Sequence, residues 1–351
     1  MYEKMALTLI NDYEVHIIGQ ENKESKELNS NIFFHKSFHF FRNSLQRFSF
    51  YLFFFRKLKQ ISPNILLVNT PELLVPAFLY RIMHKTKIIY DVRENYFYNL
   101  WYQKNYPRKL KYFLAITIRI LEYFSHFFVK HYFLAEQCYA HEFNFSKNKH
   151  SILENKYLPI FFIENHKKSV KNWIQFVYTG TISITYGTLE AICFIKKIHK
   201  FYPNIRFTII GCCSNEKYAQ QIRKSVENEN YIFLVMSPLP IPHQKIIEQI
   251  QDADFAVLSY LPNKSTKNCI PSKIYEYLAQ QIPMIIPKNS LWEKICEPHQ
   301  AAISIDFEQE NIENLVKILL EKKFYPEGQP DEKFWKFDQK AFLDLWKRIV
   351  G

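Results

Sequence analysis

The sequence predicts an α/β protein made of two doubly wound, Rossmann-like halves. Three observations carry this. Short apolar runs alternate with amphipathic stretches along the whole chain, the pattern of parallel strands joined by helices. The alternation breaks at a polar segment, residues 164–172, and then restarts. A length of 351 residues suits two domains better than one. The expected division is 1–163, a linker at 164–172, a second domain at 173–325, and a terminal segment at 326–351 that crosses back to the first.

In the first half, residues 2–11 read as a short helix and 15–18 (VHII) as a buried strand closed by Gly19. Residues 20–30 are polar and loop-like. Residues 38–60 read as an aromatic and basic helix, with Arg42, Arg47, Arg56, Lys57 and Lys59 among the phenylalanines. A strand at 65–68 lies between Pro63 and Pro71, and a helix at 73–83 follows. Residues 87–90 are the next strand, 107–130 a long helical segment, 132–134 a strand, 136–144 a helix and 151–153 a strand.

The second half repeats the scheme. Strands are expected at 174–178, 206–210, 231–233, 255–258 and 284–286. Helices are expected at 189–200, 217–227, 243–250, 272–280 and 310–322, with a Phe- and Trp-rich amphipathic helix at 333–349. No short internal repeat is visible.

Composition narrows the class. Apolar residues make up 48% and charged residues 23%, too apolar for disorder. Only 6 glycines occur, where an average chain would hold about 25, so collagen-like and Gly-rich architectures are excluded. A coding bias toward A and T explains the scarcity, and the surviving glycines mark positions of backbone need. The formal charge of +12 favours anionic ligands or surfaces, but the basic residues are dispersed rather than arrayed as a nucleic-acid stripe. The six cysteines form no C-x-x-C pair, which disfavours zinc-ribbon and thioredoxin-like motifs and suits a reducing cytosol. The N-terminus carries acids and is no signal peptide. The densest apolar run, 48–55, is far shorter than the roughly 20 residues that span a bilayer. In the longer stretch 113–129, Arg119 and Glu122 interrupt.

Four segments of the second half, in order, resemble the retaining GT-B glycosyltransferases of family 4, the group 1 type: FVYTGT at 176–181, FTIIG at 207–211, IQDADFAVL at 250–258, and IPSKIYEYLAQQIPMII at 270–286. The last is similar to the family's P-x-K-x-x-E-Y-x-A-x-x-x-P-x-I signature, with Pro271, Lys273 and Glu276 at its fixed positions. In the first half, YEVHIIG at 13–19 and YDVRE at 90–94 resemble the N-terminal domain's second strand and its Y-D-x-H-E turn. The resemblance spans about residues 3–305 and implies two Rossmann-like domains facing a cleft.

Physical chemistry supports a nucleotide-sugar site at these positions. Gly180 and Thr181 follow a strand and precede a helix, where backbone N–H groups and a helix dipole suit a diphosphate. Gly211 ends the next strand. Pro271 and Ser272 open a helix, a favoured place for proline. Lys273 can neutralise a departing diphosphate. The resemblance implies that Glu276 binds the nucleotide ribose, that Asp91 and Glu94 lie on the acceptor side, and that transfer needs no metal and no cofactor beyond the donor. Lys273 and Arg93 are the candidate catalytic residues.

The chain departs from the pattern at three places. Asn268 stands eight positions before Glu276, where the family often has a second glutamate for the transferred sugar. Residues 181–188 hold no Arg or Lys, so Lys264, Lys267 and Lys273 are the substitutes. Arg93 replaces the turn histidine. Family members also open with a strand and a glycine loop, whereas this sequence starts within the following helix. One central strand of the first half is therefore expected to be missing, and about 15–25 upstream residues would restore it.

Other chemistry is poorly supported. His35 and His39 have metal-compatible spacing without a third ligand nearby. No G-x-S-x-G or Walker motif occurs. Residues 33–59 mix Phe and Tyr with Arg and Lys, which suits docking on an anionic membrane as well as an ordinary core helix with a basic face. The resemblance thus implies a cytoplasmic glycosyltransferase of surface polysaccharide synthesis. It would use a nucleotide sugar and a glycan or lipid-linked acceptor, with contact at the inner membrane face and no nucleic acid. Two rivals stay open: a nucleotide-sugar epimerase of the same fold, and a degenerate carbohydrate-binding or partner subunit.

Overall fold

The computed structural model describes residues 2–19, 31–38, 46–102, 107–158, 172–263, 266–328, 330 and 334–351. It forms two compact units, Met1–Asn155 with Asp338–Gly351, and Lys156–Phe337.

The first unit begins with helix α1 (Tyr2–Leu9), strands β1 (Val15–Gly19) and β2 (Ile32–Lys36), and helix α2 (Gln46–Ile61). Then come β3 (Ile65–Val68), α3 (Leu74–Met83), β4 (Lys87–Val92), α4 (Tyr96–Tyr102), α5 (Arg108–Ser125), β5 (Val129–Leu134), α6 (Tyr139–Glu142) and β6 (His150–Ile152). β3, β4, β5 and β6 form one parallel sheet in that order. Ile88, Ile89 and Tyr90 of β4 are fully buried, as expected of a parallel strand covered on both faces. β1 and β2 form a separate parallel pair, and among the described residues β1 has no ladder to β3.

Several elements differ from the sequence reading. β2 and α4 are additional. The helix expected from residue 38 is seen from Gln46, and residues 39–45 lie outside the described set. α2 buries Phe54 and Leu58, so part of the aromatic stretch considered for membrane docking is core.

The second unit runs β7 (Ile174–Thr181), α7 (Thr188–Phe201), β8 (Ile205–Cys212), α8 (Glu216–Val226), β9 (Ile232–Ser237), α9 (His243–Gln251) and β10 (Phe255–Val257). α10 (Ser272–Ala279), β11 (Met284–Pro287), α11 (Ser290–Cys296), β12 (Ala302–Ile305) and α12 (Ile312–Glu321) complete it. α11 and β12 are further elements that the sequence reading lacked. All six strands are parallel, in the order β12-β11-β10-β7-β8-β9. Alternate residues of β7 feed two cores. Phe176 and Tyr178 pack with α7 and α8, while Val177 packs with the α9, α10 and α11 side. Asn215, Asn289 and Asn311 cap α8, α11 and α12 through side-chain oxygens that accept backbone N–H bonds.

The last helix, α13 (Trp335–Val350), contributes its residues from Asp338 onward to the first unit. There Trp346 stacks on Phe133 with ring centroids 6.4 Å apart, and Lys347 pairs with Asp12 at 3.0 Å.

Candidate functional site

The strand order of the second unit reverses between β7 and β10. In open α/β sheets, ligands bind outside the carboxyl ends of the strands at such a switch point. The sequence-predicted donor residues gather here. Gly180 lies opposite Gly211 in the β7–β8 ladder, so both glycines end adjacent strands. Gly180 has φ +110°, a conformation that side chains rarely adopt. A Cβ there would lie 3.3 Å from Lys273 Cε, so the glycine also makes room for the lysine stem. Thr181 is exposed beside it.

α10 enters from the neighbouring strand. Pro271 stands at its N-cap with φ −56°, and Ser272 is its exposed first residue. Tyr277 OH and Thr179 Oγ1 are 2.8 Å apart and fasten α10 to β7. The loop before α10 is held by Trp292 Nε1, which donates to the Cys269 carbonyl at 2.8 Å, and by Asn289 Nδ2, which donates to the Lys267 carbonyl at 3.0 Å. This anchoring fixes where Lys273 and Glu276 begin their turn.

Glu276 is the electrostatic centre. Its side chain is only 6% exposed, yet it is doubly partnered. Lys273 Nζ donates to Oε2, and His243 Nε2, from the first residue of α9, lies 2.6 Å from Oε1. Burial alone would raise the carboxyl, but Lys273 and His243 outweigh it and hold the group down to about 2. The carboxylate is therefore ionised throughout the physiological range. Each oxygen keeps acceptor capacity beyond its present bond. A fixed carboxylate of this kind can receive hydroxyl groups, and an ammonium at a helix start beside a strand-end glycine can receive negative charge.

Sequence reasoning missed His243. A lone histidine after Pro242 at a helix start gives no signal without its partner, which is 33 positions away. Asn268 is exposed on the loop before α10 and takes no part in the Glu276 cluster. Lys264 lies outside the described residues.

The acceptor-side residues belong to the first unit. Asp91 is fully buried near the end of β4, and its Oδ2 accepts from Arg93 Nε at 2.8 Å. Burial pushes the Asp91 carboxyl up, while Arg93 pulls it down. Asp91 Oδ1 is buried with no hydrogen-bond partner among the described residues. Glu94 is exposed and accepts from Asn99 Nδ2 at 2.7 Å. His35, weighed above with His39, instead faces His16 at 2.9 Å, and His39 lies outside the described residues. Among the described residues no group of three or more His, Cys, Asp or Glu is placed to hold a metal ion.

No protein-family model matches the sequence, and no curated protein matches it significantly. Solved structures do match in fold. Sucrose-phosphate synthase from Thermosynechococcus elongatus superposes with a TM-score of 0.75 at 10% identity, covering 99% of this chain and 91% of its own. The trehalose-6-phosphate protein of E. coli bound with UDP-2-fluoro glucose gives 0.62 at 12% identity, covering 98% and 94%. Anabaena HepE in complex with UDP and glucose gives 0.64 at 11% identity, covering 97% and 90%. At these identities the likeness is one of architecture, and the chain has the two-domain, Rossmann-like GT-B fold.

Proposed function

We propose that this protein is a retaining glycosyltransferase of the family 4 type. It would move a sugar from a nucleotide-sugar donor to a glycan or lipid-linked acceptor, in the cytoplasm, during surface polysaccharide synthesis. The observation that carries this reading is the Lys273–Glu276–His243 cluster at the switch point of a GT-B fold. Support comes also from fold relatives solved with UDP, UDP-glucose or a fluorinated UDP-glucose.

In this reading Glu276 accepts both ribose hydroxyls of the donor. The Gly180 and Thr181 backbone and the Ser272 hydroxyl receive the diphosphate, with Gly211 and Pro271 shaping the strand end and helix start around it. Lys273 stabilises the charge that grows on the diphosphate as its bond to the anomeric carbon breaks. The acceptor oxygen bonds to that carbon on the same face, and its proton passes to the departing diphosphate oxygen. Asn268 meets the transferred sugar. Arg93, with Asp91 and Glu94, serves the acceptor side, and no metal is assigned.

Titration of a panel of UDP-, GDP- and ADP-sugars by calorimetry, followed by transfer assays with the donor that binds, tests this. One donor should bind in the micromolar range and release its nucleotide. A panel with no binder would overturn the reading. A second reading, a binding subunit without transfer, is favoured by two observations: Arg93 is already engaged by Asp91, and Asn268 replaces a carboxylate. Donor binding with no nucleotide release in the presence of acceptor extracts would select it.

A further inference from the structure

α5 carries apolar side chains on its outer face as well as its inner one. Toward the unit's interior it buries Ala115, Glu122 and Ser125. Toward solvent it presents Phe113, Ile116, Ile120 and Phe124, continued by Phe127, at the spacing of one helical stripe. Phe113 is 67% exposed and Phe127 71%. Soluble helices place such residues inward. The neighbouring α3 repeats the arrangement, with Phe78, Leu79, Ile82 and Met83 all exposed. The rings of Phe78 and Phe128 lie 4.7 Å apart and join the two stripes. Together they place the apolar side chains of two adjacent helices on one exposed face, the kind of patch that marks an interaction surface.

The flanks of this surface are basic. Arg81 and Lys85 are exposed at the end of α3, and Arg108 and Lys109 open α5. The sole carboxylate in either helix is Glu122, and it is buried. A second copy of the same face would therefore bring like charges together, whereas an anionic surface would meet complementary charge. No helix among the described residues is long and apolar enough to cross a membrane. An apolar stripe with cationic flanks and no spanning length is the pattern of a helix lying in a lipid interface.

We propose that the α3–α5 face is a docking surface for an anionic lipid bilayer. The aromatic and aliphatic side chains enter the acyl boundary, and Arg81, Lys85, Arg108 and Lys109 meet lipid phosphates. This surface is distinct from residues 33–59. It would bring a lipid-linked acceptor within reach of the protein, yet it does not depend on the sugar-transfer reading.

The test is co-sedimentation of the full chain with phosphatidylcholine vesicles and with equimolar phosphatidylcholine and phosphatidylglycerol vesicles. Three variants accompany it: Phe113→Ser with Ile120→Ser and Phe124→Ser, Arg108→Glu with Lys109→Glu, and Leu320→Ser as a control for another exposed apolar residue. The wild type and the control should bind the anionic vesicles and little of the neutral ones. Both α5 variants should lose about tenfold or more in partitioning, with unchanged thermal melting and donor binding. A wild type that stays in the supernatant, or α5 variants that bind as the wild type does, would overturn the proposal. So would a concentration-dependent dimer that the triple serine variant dissolves, because the face would then serve a second copy. Loss of donor binding with vesicle binding intact would count against the enzymatic reading alone.

Discussion

Glu276 Oε1 lies 2.6 Å from His243 Nε2 while its Oε2 is taken by Lys273, so one buried carboxylate ties the start of α9 to the start of α10. Both helices follow strands whose carboxyl ends lie at the same edge of the parallel sheet. The arrangement makes a fixed negative charge at the place where this fold receives ligands.

Lys273→Met should destabilise the protein by about 2–4 kcal/mol at neutral pH, because it leaves a buried carboxylate with one partner. The sign follows from the depressed carboxyl of Glu276. Its contribution is present above the ordinary value of 4.5 and is lost as pH falls toward about 2. The penalty of Lys273→Met should therefore shrink in acid. Urea unfolding at pH 7 and pH 4 measures it, and the double variant with Glu276→Gln should recover part of the loss. Equal penalties at both pH values would refute the coupling.

Glu122 has the opposite dependence. It accepts from Tyr90 OH at 3.0 Å and lies 3.6 Å from Arg119, but burial pushes its carboxyl up to about 7. The folded protein then holds a proton that the unfolded chain releases near 4.5. Stability should be full below that value and fall as pH rises through 7, by a contribution on the order of 3 kcal/mol. Thermal melts from pH 4.5 to 8 should show the fall in the wild type and a flatter profile in Glu122→Gln. Parallel profiles would rule Glu122 out as the cause.

Gly187 precedes α7 with φ +67°, and a Cβ there would lie 1.8 Å from the Ser259 carbonyl oxygen. That carbonyl is backbone and cannot yield as a flexible side chain would. Gly187→Ala should cost about 3 kcal/mol or more and loosen the β10–α7 contact, where Ser259 Oγ donates to the Gly187 carbonyl at 2.6 Å. A melting temperature within a degree or two of wild type would contradict this.

The alternation of strands and helices was legible because parallel strands buried on both faces read as short apolar runs, as in β4, β7 and β10. β2 was not, since its His35 and Lys36 break the run, and the small Ala302 and Ser304 blur β12 in the same way. α4 and α11 have seven residues each, too few for a helical period to stand out. Lys273 and Glu276 stand out as candidates through local motif spacing, and Gly180 as a glycine at a strand end. His243 was not legible, because its role exists only through a partner distant in sequence. Nor was the orientation of α5. Its apolar period is plain, but which face turns inward depends on Glu122 finding Tyr90, and on Ser125 Oγ lying 2.8 Å from Tyr132 OH.

In the proposed function Glu276 holds the nucleotide-sugar donor. Calorimetric titration of the preferred donor into wild type and Glu276→Gln, with melting temperatures recorded for both, tests it most directly. The wild type should bind in the micromolar range and the folded variant roughly 10- to 100-fold more weakly, the cost of charge-assisted bonds to the ribose. Equal affinity in a folded variant would contradict it.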